Sequence, residues 1–166
     1  MPLAVKVGCA LGVVGIAGLL GFFEAWRLKL RVRHLEAMLS FLKALETEIQ
    51  FTAAPIGQII AHHQQDMDLL SQCGKLLAEG AHFQDGWYQA VSQDRGGFTK
   101  QDRTYLYQFG EAFGKTDKAG QIAGCRLTIR RMEEQLAKAQ DDVTRKARLY
   151  RSLGILCGAG VFCILV

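Results

Sequence analysis

The hydrophobic residues of this chain fall into two uncharged runs at its ends and periodic stripes between them. Residues 7–23 and 152–166 contain no charged side chain. As α-helices they would span about 25 and 22 Å, against roughly 30 Å for the hydrocarbon core of a bilayer. Apolar neighbours lengthen both runs. The pattern therefore predicts transmembrane helices at residues 3–25 and 149–166, with a helical domain at 26–148 between them.

Two alternatives for the end runs stay open. A cleaved signal peptide is the alternative for the first run, although only Lys6 precedes it and no small-x-small cleavage site follows Phe23. A buried core helix is the alternative for the second run. Four cations immediately before residue 152 favour the membrane instead.

Basic residues are concentrated beside the two runs. They are Arg27, Lys29, Arg31 and Arg33 near the first run, and Arg145, Lys146, Arg148 and Arg151 near the second. Because Lys and Arg beside membrane spans stay cytoplasmic, the central domain should lie in the cytosol and both termini outside. The formal net charge is +4, yet the region between the basic blocks has more acidic than basic residues. This distribution argues against a nucleic-acid partner.

Helical periodicity dominates the central domain. The first stripe is Leu28, Leu35, Met38, Leu42, Leu45 and Ile49, with heptad-like steps. The last stripe is Ile122, Cys125, Ile129, Met132, Leu136, Ala139, Val143 and Tyr150. We expect the two long helices to pack antiparallel, with short helices completing the bundle. The predicted fold is all-α, an elongated antiparallel helical bundle.

Turn and capping residues divide the middle of the chain into short helices. Candidate breakers and caps, in chain order, are Pro55, Asp66 or Asp68, Gly80, Asp85, Gly114 and Asp117. Thr99 followed by Asp102 resembles a capping box, with Asp in place of the usual Glu or Gln. The first long helix should end near Thr52.

Residue patterns for enzyme or metal chemistry are weak. Gly110–Thr116 resembles a phosphate-binding loop, but three residues separate its glycines instead of four, and an aromatic helix precedes it instead of a strand. A helix end is the favoured interpretation. His62 and His63 are adjacent and would point about 100° apart on a helix. We predict no catalytic residue, no metal site and no cofactor.

Cysteine and acidic residues support the same conclusion. Of the cysteines, only Cys73 and Cys125 fall in the central domain, so a disulfide framework is not expected. Glu133–Glu134 and Asp141–Asp142 have basic residues three or four positions away, which is typical of ion pairs on a solvated helix face.

Three segments together resemble the stage III sporulation protein AB family. Residues 146–158, which include Tyr-Arg-Ser-Leu-Gly, are similar to the ending of that family. Residues 35–49, followed by Pro55-Ile56, are similar to its first cytosolic helix and the turn after it. Phe113–Asp117 with Gln121 resembles its Leu-Gly-x-x-Asp-x-x-x-Gln loop. The resemblance extends over essentially the whole chain.

The resemblance implies a function that the spacing of residues does not. The family belongs to a transenvelope complex of spore-forming bacteria, in the mother-cell membrane facing the forespore, and its cytosolic domain is similar to helical platform domains of type II secretion machines. Its implied partners are a secretion-type ATPase and membrane channel subunits, besides membrane lipid. The chain would be a non-enzymatic scaffold. The alternative is a small platform protein of a secretion or type IV pilus-like machine, and a homo-oligomer is not excluded.

Two interaction surfaces are expected. The first is the turn Gly114–Gln121, because loops at the end of a bundle are free to bind whereas the apolar stripes are occupied. Its candidate residues are Phe113, Gly114, Lys115, Asp117 and Gln121. The second is membrane-helix packing through the small residues Gly12, Gly15, Gly154 and Gly158. The alternatives are that the turn only caps helices, and that glycine is simply common in membrane helices.

Overall fold

The computed structural model describes the backbone of residues 3–52, 54–95 and 97–165, and the side chains of residues 23, 25–52, 54–95, 97–146, 148 and 149. Within these ranges the chain forms six α-helices and no β-strand, which confirms the all-α prediction. The helices are α1 (Leu3–Phe51), α2 (Ile56–His62), α3 (Asp68–Ala78), α4 (Phe83–Gln93), α5 (Lys100–Ala112) and α6 (Lys118–Leu165).

The chain divides into two compact units. One is Leu30–Lys138, called the head unit below, and the other combines Met1–Lys29 with Ala139–Val166. The head unit lies within the predicted domain 26–148, whose own limits stay a prediction. It contains the four short helices and parts of α1 and α6.

The transmembrane helices predicted at 3–25 and 149–166 are not supported by the described residues. The backbone of residues 3–25 and 149–165 is helical, but no helix in the described part of the chain is apolar over enough length to cross a bilayer. The stretches of α1 and α6 with described side chains carry charged residues every few positions. Nearly all side chains of the two segments lie outside the described residues.

The apolar stripe predicted for α1 faces the core of the head unit. Its buried members are Leu35, Met38, Leu42, Leu45 and Ile49. Leu39 and Phe41 are buried as well, so the buried face is wider than the predicted heptad seam. A wide apolar face is expected for a helix that packs against several elements instead of a single partner.

α6 runs antiparallel to α1 within the head unit, as predicted. Polar contacts among the described residues join them, including Arg31 Nη2 to Gln135 Oε1 (3.3 Å), Lys43 Nζ to Glu133 Oε1 (2.8 Å), Arg126 Nε to Glu46 Oε1 (2.6 Å) and Lys118 Nζ to the Gln50 carbonyl oxygen (2.8 Å). Residue numbers rise along α1 while they fall along α6, which defines the antiparallel order.

The buried face of α6 contains polar residues as well as members of the predicted apolar stripe. Cys125, Ile129, Met132 and Ala139 are buried, as expected, and Tyr150 lies outside the residues with described side chains. Two polar residues between them, Thr128 and Gln135, are also buried. The periodicity of apolar residues did not predict their burial.

The short helices begin and end near the predicted positions, but two of the predicted caps are wrong. Gly80 has a φ of 94°, a left-handed conformation that ends α3. The residues at the N-caps of α3 and α4 are Met67 and His82, neither with a side-chain capping bond. Asp68 and Asp85 lie in the first turn instead, where a carboxylate interacts favourably with the helix dipole.

The capping box of α5 is confirmed. Thr99 Oγ1 accepts a hydrogen bond from the Asp102 backbone N–H (3.2 Å), and Asp102 Oδ2 accepts one from the Thr99 backbone N–H (2.8 Å). Pro55 occupies the N-cap of α2, one residue before the predicted first turn. These local signals set the boundaries of the short helices.

Aromatic side chains fill the space between α1, α4 and α5. We call Phe41, Phe83, Trp87, Phe109 and Phe113 the aromatic core, whose ring centroids lie 5.1–6.2 Å apart in the contacting pairs. Trp87 is 1% exposed, and its indole Nε1–H donates to the Leu106 carbonyl oxygen at 2.8 Å. The indole is therefore both packed and hydrogen-bonded, as buried tryptophans usually are.

Candidate functional site

The turn between α5 and α6 is a defined structure that backbone hydrogen bonds hold in place. The Phe113 N–H donates to the Phe109 carbonyl oxygen (2.9 Å) and closes α5. Gly114 follows with a φ of 81°, which favours glycine because other side chains rarely adopt it. The helix therefore ends where the sequence predicted.

Asp117 caps α6, as predicted. Its Oδ1 accepts a hydrogen bond from the Gly120 N–H (3.0 Å), and its carbonyl oxygen accepts one from the Gln121 N–H (2.9 Å). The Gln121 side-chain amide donates to the Thr116 carbonyl oxygen (3.1 Å). A Cβ on Gly120 would lie 2.7 Å from the Thr116 Cβ, so this close turn requires glycine there. Several bonds thus fix the turn before any partner binds.

The structure brings the five predicted partner-binding residues together but gives them different roles. Phe113 is mostly buried and contacts Phe83 and Phe109. Lys115 and Asp117 are exposed, and Lys115 Nζ lies 3.6 Å from Glu111 Oε1 in an exposed pair. Such a pair contributes little to stability. Among the five predicted residues, the exposed charged side chains are therefore those of Lys115 and Asp117.

Two shallow apolar grooves flank this turn. The α5–α6 groove, about 270 Å³, is lined by Gln108, Phe109, Ala112, Phe113, Thr116, Gly120, Gln121, Gly124, Leu127, Thr128 and Arg131. The α2–α6 groove, about 320 Å³, is lined by Ile49, Ala54, Pro55, Ile56, Ile59, Phe113, Lys118 and Gln121. Phe113 and Gln121 line both grooves. These two residues, both predicted from the sequence motif, therefore lie at the border between the α5–α6 groove and the α2–α6 groove.

The grooves combine apolar surface with positive charge. Among the described residues that line them, the charged side chains are Arg131 and Lys118, and none is a carboxylate. Leu127 is 50% exposed beside the α5–α6 groove. The sequence analysis did not select Leu127, because this residue lies outside the apolar stripe of α6. A leucine outside the stripe is expected at the surface, where a partner could contact it. The surface fits an apolar segment that carries carboxylates.

The segment that resembles a phosphate-binding loop is a helix end. Gly110 is buried within α5, where any Cβ would collide with the indole ring of Trp87. Glycine at position 110 therefore allows α5 to pack closely against α4. The observed helix and left-handed turn agree with the predicted helix end.

The histidines do not form a metal centre in the described residues, where no group of three His, Cys, Asp or Glu side chains could hold an ion. His63 Nδ1 lies 2.7 Å from Asp66 Oδ2, and His34 Nδ1 lies 2.9 Å from the Leu30 carbonyl oxygen. These are local contacts within one helix or turn.

The two central cysteines are free and buried. Burial raises the pKa of the Cys73 thiol to about 12. Burial, together with the nearby charge of Glu46, raises the pKa of Cys125 to about 11. Both side chains therefore stay protonated at neutral pH, which makes them poor nucleophiles and poor metal ligands.

Glu133 does not follow the prediction of ion pairs along one helix. It pairs with Lys43 on α1, and Arg131 instead donates to Gln108 on α5 at 2.7 Å. Glu133 and Arg131 therefore contact the neighbouring helices α1 and α5.

A buried polar cluster was not predicted from the sequence. Arg31 donates to Asp102 through Nε (3.0 Å) and Nη2 (3.1 Å), and Nη2 also reaches Gln135 Oε1 (3.3 Å). The Asp102 side chain is 0% exposed and the Arg31 side chain 12%. We call Arg31, Asp102 and Gln135 the buried polar cluster. Arg31, one of the four cations assigned to the first membrane flank, is thus mostly buried in the head unit.

The predicted packing glycines Gly12, Gly15, Gly154 and Gly158 lie in α1 and α6, where the backbone is helical. Their surroundings lie outside the residues with described side chains. Their role stays a prediction.

Comparison with known proteins gives consistent results. A family model described as Stage III sporulation protein AB matches residues 6–166. Stage III sporulation protein AB of Bacillus subtilis (strain 168) is 27% identical over 136 residues, which cover 77% of this chain and 80% of that protein. A solved structure of a Stage III sporulation protein AB has a TM-score of 0.64 and 22% identity, and covers 69% of this chain and 97% of the solved one.

Proposed function

Since the chain belongs to the stage III sporulation protein AB family, we propose that it is a non-enzymatic, membrane-anchored subunit of the sporulation complex between mother cell and forespore. The match over residues 6–166 carries this proposal, because it includes the uncharged runs 7–23 and 152–166 as well as the head unit. The family favours sporulation over a secretion or pilus machine. In this role the chain scaffolds a secretion-type ATPase and channel subunits.

Membrane anchoring is supported by the sequence pattern at both ends. The uncharged runs 7–23 and 152–166 are each preceded or followed by cations, which favours a cytosolic head unit. Arg31 is buried with Asp102 and does not contribute to this flank. Gly12, Gly15, Gly154 and Gly158 would then let the two end helices, or a membrane partner, approach closely. Replacing Gly12 and Gly158 by isoleucine tests this part, and unchanged crosslinking to neighbours would remove it.

The turn that includes Lys115 and Asp117 is our proposed site for the ATPase. Three features support it: the turn is fixed by its own hydrogen bonds, its charges are exposed, and apolar grooves lie on both sides. A preorganised surface loses little conformational entropy on binding. We expect the partner segment to place apolar side chains in the grooves and carboxylates near Lys118 and Arg131.

Charge reversal tests the ATPase site. Lys115→Glu should weaken recovery of the ATPase in a pull-down with the full chain, because rim charges set partner selection and association rate. Lys100→Glu is the matched control, since Lys100 is an exposed lysine at the other end of α5. Equal recovery with both variants would place the ATPase elsewhere. Asp117 is avoided because it also caps α6.

The broader role is tested separately in the organism. A deletion strain should arrest during spore development and lose late forespore gene expression, and the wild-type gene should restore both. Normal spore formation in the deletion strain would contradict the sporulation role whatever the pull-down shows. ATP hydrolysis by the purified chain alone would contradict the non-enzymatic role.

A further inference from the structure

We infer that the Tyr88–Tyr107 pair and the groove beside it form a second docking site, which binds an arginine side chain of a partner protein. The groove lies between α4 and α5 and has a volume of about 290 Å³. Its lining includes Asp85, Trp87, Tyr88, Tyr107, Gly110 and Glu111. It shares none of the lining residues of the two grooves beside the α5–α6 turn.

The base of the site is rigid because α4 and α5 approach closely. Gly110 leaves room for the Trp87 ring, and the Trp87 indole N–H donates to the Leu106 carbonyl oxygen. A hydrogen bond and a steric fit therefore fix the two helices against each other. Residues one helical turn or less from these contacts are held at a fixed separation.

The two tyrosine rings form the aromatic wall of the site. Their centroids are 4.8 Å apart with planes 33° from parallel, so the rings are packed in a tilted stack. Tyr88 is 62% exposed, so its ring is accessible to a partner. The faces of tyrosine rings carry negative electrostatic potential and attract cations within about 6 Å.

The charges of the site are complementary to a cation. Asp85 and Glu111 are exposed carboxylates on opposite helices, and no Lys or Arg is among the described residues of the lining. Lys115 Nζ lies near Glu111 at 3.6 Å, but both side chains are highly exposed, so this weak pair can be displaced. Two carboxylates beside an aromatic wall define the occupant as cationic.

Arginine fits better than lysine. A guanidinium group can stack on an aromatic ring and bind a carboxylate through two N–H groups at the same time. The head unit already contains the stacking part of this arrangement, because the Arg131 guanidinium carbon lies 5.2 Å from the centroid of the Tyr105 ring, while its Nη1 donates to the Gln108 side chain. At Tyr88 the lining carboxylates are those of Asp85 and Glu111, and we expect a partner protein to supply the guanidinium group.

The experiment measures binding of a fluorescein-labelled hexa-arginine peptide to the purified full chain by anisotropy. Tyr88→Phe should bind like the parent, whereas Tyr88→Leu, which keeps apolar bulk but removes the ring, should weaken binding about tenfold if the cation–π contact is worth about 1.4 kcal/mol. Equal affinity of the Phe and Leu variants would overturn the aromatic part of the site. Circular dichroism melts of each variant confirm that it is folded.

Charge variants complete the test. Asp85→Asn with Glu111→Gln should weaken binding, whereas Glu36→Gln with Glu134→Gln removes two exposed carboxylates elsewhere and should have little effect. An equal loss for both pairs would show non-specific attraction and overturn the site. Lys115→Glu should strengthen peptide binding, because it removes a competing cation. Lys115→Glu is thus expected to strengthen peptide binding but to weaken ATPase recovery. Each of the two proposed sites can therefore be contradicted without affecting the other.

Discussion

The head unit is held together in two different ways in two neighbouring regions. In the aromatic core, Trp87 and the surrounding phenylalanines pack as apolar surfaces. In the buried polar cluster, Arg31 and Asp102 meet through two directed hydrogen bonds. Apolar contacts are non-directional and stabilise in proportion to the area they bury. Hydrogen bonds between charged side chains are directional, so they form only when the helices that carry them have a narrow range of relative positions.

This difference separates stability from specificity. A buried ion pair contributes little net free energy because both charges lose their hydration, yet removing one partner leaves the other buried and unpaired. Asp102 also accepts the Thr99 N–H, so its carboxylate holds the start of α5 as well as α1. We interpret the aromatic core as the main source of stability, and the polar cluster as the device that fixes α1, α5 and α6 in register.

The largest effect should come from the aromatic core. Trp87→Ala should lower the free energy of unfolding by about 4 kcal/mol, because it removes a fully buried ring and leaves a cavity between α1, α4 and α5. Urea unfolding followed by circular dichroism measures this loss. Phe51→Ala is the control, since the Phe51 ring is 75% exposed and its removal should change stability by less than about 0.5 kcal/mol. A loss of about 1 kcal/mol at Trp87 would contradict the central role of this core.

The polar cluster should give the next largest effect. Asp102→Asn should cost about 3 kcal/mol, because it leaves the Arg31 guanidinium mostly buried without its carboxylate. The double variant Arg31→Met with Asp102→Leu should recover most of that loss, since no charge remains to be desolvated. If the double variant is as unstable as the single one, the ion pair itself stabilises the head unit.

The buried polar cluster is a part of the fold that could not be predicted from the sequence. Periodicity located the buried face of α1, and glycine located the ends of α3 and α5, because these are properties of one helix and its immediate turn. The burial of Arg31 depends on Asp102, which is 71 positions away and belongs to another helix. Within one segment, Arg31 is indistinguishable from the membrane-flanking cations beside it. The capping-box prediction identified Asp102 but gave no indication that it has a second, distant partner.

The candidate binding turn was more predictable than its surroundings. The motif Phe113–Asp117 with Gln121 identified residues that the structure brings into one turn. The flanking grooves depend on how α2, α5 and α6 are placed relative to each other, which no single segment encodes. The same reason explains why the pairing of Glu133 with Lys43 was missed.

The smallest effect should come from the N-cap of α5, where the Thr99 side chain supplies one half of the capping box. Thr99→Ala removes the acceptor for the Asp102 N–H and should cost about 1 kcal/mol, whereas Thr99→Ser should keep the cap and most of the stability. The Arg31–Asp102 ion pair is left in place, so α1 should stay in register. Urea unfolding gives the free energy, and amide hydrogen exchange at the first turn of α5 shows where it is lost. A loss as large as that of Asp102→Asn would contradict the ranking of this cap below the buried polar cluster. A loss near 1 kcal/mol would support that ranking, in which the bond between Asp102 and Arg31, the contact that joins α5 to α1, matters more.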